Sequence, residues 1–243
     1  MAETKDSTQN LIFHLEELRH TLIRCFIVLG IVLPITLFAA PALLEVLTRH
    51  IIKDLPITLN FFSPMEIFIL QIKTAIFLDF LLCFPYIARQ LWNFILPALY
   101  EHERRFIKSI VISSAILFSI GVTFCLFFIL PLIIQFGASF ASDKIHAVLG
   151  ISNIINLSLQ LSAIFGLMFQ FPLITYALIK AHIISYNTIK NKRPYVFTAI
   201  LIFSALLTPP DIVSQLMLSI PTYILFELGL FFAKKLSSAE KKA

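Results

Sequence analysis

The residues of this sequence that could do chemistry are a few acids and one lysine, placed in or beside long apolar runs. Glu17 and Glu103 lie in polar segments next to such runs, whereas Lys73, Asp79 and Glu227 lie within them. A charged side chain inside a bilayer costs free energy unless it is paired or hydrated, so each of these residues is a candidate for binding. Interhelical pairing is an equally good interpretation for Lys73, Asp79 and Glu227.

Motifs of catalysis and cofactor binding do not occur in the sequence. It contains no GxGxxG, GxxxxGK[ST], HExxH or GxSxG pattern, and no nucleophile stands with a base at a recognisable spacing. The three cysteines lie in three different apolar runs and form no CxxC pair, so we expect buried free thiols. We therefore expect no catalytic residue, no metal site, no cofactor and no enzymatic activity.

The composition excludes an ordinary soluble fold. Hydrophobic residues make up 58% of the chain and charged residues 14%, and the mean hydropathy is +0.90. Soluble domains are about 45–50% apolar and about 25% charged. A soluble enzyme, a nucleic-acid-binding protein and a disordered chain are all poor fits, and we interpret the chain as an integral membrane protein.

Six apolar runs predict membrane-spanning helices, because roughly 20 helical residues cross about 30 Å of hydrocarbon. The runs are continuous and lack the period-two alternation of barrel strands. The predicted fold is all-α, one polytopic domain over residues 1–243 with spans at 22–44, 67–92, 106–136, 151–179, 195–208 and 212–233. The fifth run covers only about 21 Å. Prolines inside the runs predict a bent, concave bundle, unless packing merely tolerates them.

The basic residues predict the orientation of the bundle. Of the 19 Lys and Arg residues, all but Arg49, Lys53, Lys73 and Lys144 fall on the side of the two termini. Because cytoplasmic loops carry the excess of Lys and Arg, both termini are expected in the cytoplasm. The net charge of +5 is therefore a consequence of topology and does not indicate nucleic-acid binding.

Short motifs occur in order along the predicted spans. They are HLxELR from His14, FSPxExF from Phe62, Pro85 followed by QxWxF from Gln90, PxLYxxERR from Pro97, RPY from Arg193, TPPDxxSQ from Thr208, and Pro221 with Phe226-Glu227. Each motif alone is weak, but the ordered set together with six spans is specific. On these residues the sequence resembles the TatC family, the polytopic subunit of the twin-arginine (Sec-independent) protein translocase, over essentially the whole chain.

The resemblance implies a receptor for signal peptides that carry a consecutive arginine pair. It also implies the core of a translocase that exports folded proteins across the bacterial cytoplasmic (inner) membrane, driven by the proton-motive force. The implied partners are single-span subunits of the TatA and TatB type and further copies of the chain. Arginine is a permanent cation with a planar fork suited to carboxylates, which bind it more strongly among apolar residues than in open water.

By this resemblance, Glu17 and Glu103 are expected to contact the two arginines, and Leu15, Arg19 and Arg105 to belong to the same binding region. The residues expected in partner binding and assembly are Glu66, Pro85, Gln170, Asp211, Gln215 and Glu227. Gln170 stands where many family members carry Glu, and Gln can form hydrogen bonds between helices but cannot change charge. Glu16 is an additional acid at the variable position of the first motif.

A function of another class is a small secondary transporter with Lys73, Asp79 and Glu227 on a proton or ion path. Such a transporter predicts inverted repeats with matched discontinuous helices, and the two halves of the sequence show no convincing repeat. Glu66 and Lys73 share a helix face but are about 10 Å apart, and Asp79 is rotated away from Lys73. A continuous relay along one helix is therefore not expected.

Overall fold

Long apolar helices make up most of the described part of the chain. The computed structural model describes residues 2–52, 59–60, 63–95, 104–138, 149–180, 183–207 and 212–240. Five of its helices are long and apolar enough to cross a membrane: Leu15–Ile51, Met65–Ile95, Ile107–Gly137, Ile151–Lys180 and Gln215–Lys234. A shorter apolar helix covers Arg193–Leu206. The predicted all-α membrane fold is confirmed, and the shorter helix overlaps the run predicted as the fifth span.

The described elements follow one another with short connections. In chain order they are α1 (Ala2–Ile52), β1 (Leu59–Asn60), α2 (Pro64–Ile95), α3 (Arg104–Phe124), a π-helical turn (Cys125–Ile129), α4 (Leu130–Ala138), β2 (Leu149–Gly150), α5 (Ile151–Met168), α6 (Phe171–Lys180), α7 (Tyr186–Asn191), α8 (Arg193–Leu207) and α9 (Ile212–Glu240). Helices dominate because hydrocarbon offers backbone groups no partner, so each segment must satisfy its own hydrogen bonds.

The helices pack mainly against their neighbours in sequence. α1 runs along α2, α2 also contacts α3 and α5, and α3 contacts α5. α9 packs against α6 and α8. Residues Leu59 and Asn60 of β1 pair in parallel with Leu149 and Gly150 of β2, which connects the segment after α1 to the start of α5. The first, second and fourth spans are therefore tied together at one end of the bundle.

The apolar part of α1 is longer than a bilayer requires. Leu15–Ile51 contains 37 residues, which is roughly 55 Å of helix against about 30 Å of hydrocarbon. The helix must therefore tilt or extend beyond the hydrocarbon, and the start of its apolar part can then lie in the interface. Glu17 lies in the first turn of that apolar part.

Two of the spans are interrupted close to a proline. The π-helical turn Cys125–Ile129 precedes Pro131, whose ring has no N–H and clashes with the carbonyl four residues earlier. The span predicted at 151–179 is two helices, because α5 ends at Met168 and α6 begins at Phe171, just before Pro172. Four other prolines lie inside uninterrupted helices: Pro34, Pro41, Pro85 and Pro221.

Glycines permit the closest approaches between helices. A Cβ atom on Gly229 of α9 would lie 2.6 Å from the Cα of Pro172, and a Cβ atom on Gly166 would lie 2.5 Å from the ring of Phe118. Membrane helices associate through such small residues, because lipid is as apolar as their side chains and close packing, not hydrophobic burial, stabilises the contact. By contrast, a Cβ atom on Gly30 of α1 would meet nothing within 4 Å.

Candidate functional site

An open cavity lies where the N-terminal part of α1 meets the C-terminal end of α2. Its volume is about 380 Å³. α1 contributes the carboxylates Glu16 and Glu17, and α2 contributes Gln90, Asn93 and Phe94. Because a polar wall of two helices surrounds a space of this size, the cavity can admit a side chain of a second molecule. We name it the Glu17 cavity.

The charges on the wall of the Glu17 cavity are predominantly negative. His20, Thr21 and Arg24 complete the α1 side, and Thr21 and Arg24 follow Glu17 at helical spacing on one face. Apart from His20, the lining carries two carboxylates, Glu16 and Glu17, against one guanidinium, Arg24. The excess of negative charge favours a cationic ligand.

The structure places only some of the residues predicted to bind the signal peptide. Glu17 is half-buried on the wall of the cavity, whereas Leu15 is 56% exposed and Arg19 is exposed on the same helix. Glu103 lies outside the described residues. Arg105 belongs to α3, but its side chain also lies outside the described part of the chain. Glu17 is therefore the predicted binding residue that the structure brings into the cavity.

Two amides on α2 complete the cavity, and the sequence reasoning assigned neither of them a binding role. Gln90 Nε2 donates to the hydroxyl of Tyr86 at 2.9 Å. Asn93 Oδ1 is buried and accepts no hydrogen bond from the described residues. The two amides are three residues apart, so they share a helix face at the C-terminal end of α2. In the sequence, the three-residue spacing of Gln90 and Asn93 was the pattern that could have indicated that both amides face the same site.

Gln170 is a buried bridge between the third span and the break in the fourth. It is 7% exposed, in the turn between α5 and α6. Its Oε1 accepts from Ser114 Oγ at 2.5 Å, and its Nε2 donates to the carbonyls of Ser114 at 3.1 Å and Gly166 at 3.4 Å. Both ends of the amide are thus used within the chain, and the side chain holds α3 against the turn.

Glu66 and Lys73 connect α2 to the start of α5. Glu66 Oε1 accepts from the backbone N–H of Ser152 at 3.3 Å, in the first turn of α5, where a negative charge is favourable. Lys73 Nζ donates to Asn156 Oδ1 at 2.9 Å, and Asn156 Nδ2 donates to Ser152 Oγ at 3.2 Å. The two charges are therefore connected through Ser152, by its backbone N–H and its hydroxyl, and through the Asn156 side chain of α5, in the manner of interhelical pairing.

Glu227 and Gln215 connect α9 to α8. Glu227 Oε2 accepts from Arg193 Nη2 at 2.7 Å, and its Oε1 accepts from the hydroxyl of Tyr223 at 3.1 Å. Gln215 Nε2 donates to the carbonyl of Leu201 at 3.1 Å. Among the contacts of the described residues, an ion pair and a side-chain-to-backbone bond thus join the short fifth span to the sixth.

Two further predicted residues, Pro85 and Asp79, do not line the Glu17 cavity, and Asp211 lies outside the described residues. Pro85 lies exposed inside α2. Asp79 is buried, and its Oδ1 accepts a weak hydrogen bond from Cys83 Sγ at 3.5 Å. Because Lys73, Asp79 and Glu227 have three different partners, their contacts favour structural pairing over a shared ion path.

The thiols and the other potential metal ligands form no site in the described part of the chain. Cys25, Cys83 and Cys125 are free and buried. Among the residues that the structure describes, no group of three or more His, Cys, Asp and Glu side chains is placed to hold a metal ion. The polar contacts of the described residues are therefore those of helix packing and of the Glu17 cavity.

Comparison with known proteins identifies the family. The family described as TatC, Sec-independent protein translocase protein, matches residues 13–221. Over 234 residues the chain is 36% identical to the Sec-independent protein translocase protein TatC of Escherichia coli (strain K12), covering 94% of this chain and 90% of that protein. The protein of the same name from Aquifex aeolicus (strain VF5) is 33% identical over 232 residues, covering 94% of this chain and 96% of its relative.

A solved structure matches as well. The structure described as "Crystal Structure of Twin Arginine Translocase Receptor- TatC in DDM" superposes with a TM-score of 0.82 at 31% identity, covering 90% of this chain and 99% of that one. The match extends to 99% of the solved chain and therefore to the arrangement of the spans. This multi-pass membrane protein belongs to the TatC family of Sec-independent protein translocase proteins.

Proposed function

We propose that this chain is the signal-peptide receptor and core subunit of a twin-arginine protein translocase and has no enzymatic activity of its own. Membership of the TatC family and the similarity to a structure described as a twin-arginine translocase receptor support the proposal. The observation that carries it is the Glu17 cavity, in which a carboxylate named by the sequence motif meets the end of α2 in a negatively charged space.

The cavity suits a guanidinium better than any other side chain. A guanidinium has five donors in one plane and no acceptor, and a carboxylate can accept two of its N–H groups at once. Glu17 takes one arginine of the pair in this way, with Glu16 beside it on the same helix. Glu103, which directly precedes α3 in the sequence, takes the second arginine.

The orientation of the receptor follows from its charges. Fifteen of the 19 Lys and Arg residues fall on the side of the termini, so both termini face the cytoplasm of a bacterial cell and the protein lies in the inner membrane. The Glu17 cavity then opens toward newly made precursors. The apolar part of the signal runs along the concave face of the bundle as a helix that satisfies its own backbone, and the proton-motive force drives transport.

The receptor assembles with TatA- and TatB-type single-span subunits and with further copies of itself. α8 and α9 offer large exposed apolar side chains, including Leu206 at 75%, Ile212 at 75% and Phe203 at 57% exposure. Apolar side chains are compatible with lipid as well as with a partner helix, whereas polar groups such as Gln215 are what membrane helices use to associate. We place partner binding on this face, with Glu66, Pro85, Gln170, Asp211 and Glu227 supporting assembly.

Signal-peptide binding to the chain in lipid nanodiscs tests the proposal. A labelled peptide with the arginine pair should bind at least about tenfold more tightly than its Lys-Lys version, because lysine lacks the planar fork. Glu17→Gln and Glu103→Gln should each weaken binding of the Arg-Arg peptide by a similar factor. Glu45→Gln is the matched control, since Glu45 lies exposed near the other end of α1, paired with Arg49.

The result that contradicts the proposal is equally definite. If Glu17→Gln and Glu103→Gln both bind the two peptides with the affinities of the unmodified chain, the arginine pair is not recognised at these carboxylates. Crosslinking from position 17 to the peptide in membranes gives an independent measurement of the same contact.

A further inference from the structure

We propose that Lys73 binds the phosphate group of a phospholipid in the leaflet opposite the N-terminus of the chain. The inference does not depend on the receptor function, because it rests on one exposed ammonium group between α2 and α5. Lys73 lies within the second span, Met65–Ile95, and its side chain is exposed. A charge in such a position requires a counter-charge or water.

The ammonium group of Lys73 is held in place by an amide of the neighbouring helix. Lys73 Nζ donates to Asn156 Oδ1 at 2.9 Å, and Asn156 Nδ2 donates to Ser152 Oγ at 3.2 Å. The second bond fixes the amide with its oxygen toward Lys73. Because an ammonium group has three N–H donors, two of them remain for a ligand.

The described contacts of Lys73 leave its charge without a direct counter-charge. In the part of the chain that the structure describes, its hydrogen-bond partner is Asn156, which is neutral. Glu66, the acid on the same face of α2, is seven residues away, about 10 Å along the axis. The carboxylate of Glu66 accepts from the backbone N–H of Ser152. An anionic group is therefore the ligand that the exposed side of Lys73 favours.

The position of Lys73 along α2 matches the level of the lipid headgroups. The second span contains 31 residues, roughly 46 Å of helix against about 30 Å of hydrocarbon. When the excess is shared by both ends, the Cα atom of Lys73 lies about 4 Å inside the hydrocarbon. Helical side chains point toward the helix N-terminus, and that end of α2 lies opposite the N-terminus of the chain, because α1 crosses the membrane once. Lys73 can therefore extend its ammonium group to the phosphates of that leaflet.

Exposed apolar side chains flank Lys73 on the same face of α2. Ile69, four residues earlier, is 49% exposed, and Ile76, three residues later, is 53% exposed. Lipid tails are as apolar as these side chains, whereas helix partners use small or polar residues for close contact. A cation between two apolar side chains matches a phospholipid, which joins a phosphate to acyl chains, better than a carboxylate on a partner helix.

Photo-crosslinking of two lipids to the full chain in nanodiscs tests the inference. Phosphatidylglycerol and diacylglycerol carry the same diazirine in an acyl chain, and labelling is mapped on α2 around Lys73 and on α9 around Ile220. Ile220 is 54% exposed in a stretch without Lys or Arg, 212–233, and gives the reference. The ratio of phosphatidylglycerol to diacylglycerol labelling should be about fivefold higher on α2 than on α9, the contribution of one lysine near anionic lipid.

Two substitutions remove the available charge in different ways. Lys73→Gln replaces the ammonium group but keeps a donor for Asn156, so the contact between the helices is preserved. Asn156→Asp keeps the ammonium group and pairs it with a carboxylate of the same chain. Both should lower the ratio on α2 to that on α9, whereas Lys73→Arg should keep the enrichment. Lys190→Gln is the matched control, since Lys190 is an exposed lysine of α7, and should leave the ratio unchanged.

Four results would overturn the inference, and none of them bears on signal-peptide binding at Glu17. Ratios on α2 and α9 within about twofold of each other in the unmodified chain would show an ammonium group that is only hydrated. Persistence of the enrichment in Lys73→Gln or Asn156→Asp would place its cause elsewhere. Loss of the enrichment in excess inorganic phosphate would show a site for free phosphate. A Lys73→Gln variant that loses crosslinking between copies of the chain, with lipid labelling unchanged, would show that the counter-charge is a protein carboxylate.

Discussion

Replacing Gln170 by Met tests whether this side chain holds the third span to the break in the fourth. Methionine has a similar length and flexibility but no strong donor or acceptor. The change removes the two hydrogen bonds with Ser114, at 2.5 and 3.1 Å, and the longer bond to the Gly166 carbonyl at 3.4 Å. It leaves the buried volume nearly filled, so the loss reports the hydrogen bonds and not a cavity.

The expected loss can be worked from these three contacts. A hydrogen bond contributes about 0.5–1.5 kcal/mol net, and those between membrane helices average about 0.6 with a maximum near 1.7 kcal/mol. Two well-formed bonds and one long one give about 1.5–3 kcal/mol for Gln170→Met. Ser114→Ala removes only the bond from the hydroxyl and should cost about 1 kcal/mol, because the Ser114 carbonyl remains.

Reversible unfolding in mixed detergent micelles measures these free energies, and the double variant gives the coupling. The coupling between Ser114→Ala and Gln170→Met should be about 1 kcal/mol, since both remove the same bond. Ser119→Ala is the control on the same helix, where an exposed hydroxyl donates to the carbonyl of Ala115. Additive effects of the two changes, or a loss for Gln170→Met no larger than that of the control, would refute the bridging role.

Two further predictions concern the packing of α9. Gly229→Ala should lower the free energy of unfolding by about 1–3 kcal/mol, because the new methyl group would lie 2.6 Å from the Cα of Pro172. The control is Gly30→Ala, which has open space around it and should be neutral or stabilising. Equal effects of the two changes would contradict the close approach of α9 to Pro172. Glu227→Gln and Arg193→Gln should each lower the free energy of unfolding by about 1–2 kcal/mol, an amount that already allows for the partial exposure of both side chains. The double variant should lose less than the sum of the two single losses, because both changes remove the same ion pair. Additive losses in the same unfolding assay would show that the two residues are not coupled.

The six spans could be predicted from residue type alone, because hydrocarbon admits only backbones that satisfy themselves. The short fifth span was predicted at 195–208 and observed as Arg193–Leu207. The break at Phe169 and Gln170 is signalled by Pro172, because α5 ends at Met168, the residue whose carbonyl a proline at position 172 leaves without a donor. The hydrogen bond of Gln170 to Ser114 of α3 could not be predicted, because the sequence does not place these two residues side by side.

The candidate site was predicted in part. Glu17 follows from a motif and stands on the wall of the cavity, while Asn93 carried no motif and was missed. A cavity between two helices depends on how they cross, and its unused acceptor becomes visible only when every donor around it is known. The sequence contains the three-residue spacing of Gln90 and Asn93. It does not show that the Gln90 amide donates to the hydroxyl of Tyr86, or that no described residue donates to the buried oxygen of Asn93.

The π-helical turn Cys125–Ile129 changes the angular phase of the third span. A turn that holds one extra residue rotates everything after it by about 100° relative to an uninterrupted helix. Before the turn, Phe118 and Val122 belong to a cluster that contains Phe84 of α2. The turn itself places Cys125 and Ile129 in a cluster that contains Phe165 of α5. After it, Leu130 belongs to a cluster that contains Leu47 of α1. One continuous span thereby contributes to three clusters, and deleting a single residue here would shorten it by only about 1.5 Å while exchanging the neighbours of its final quarter.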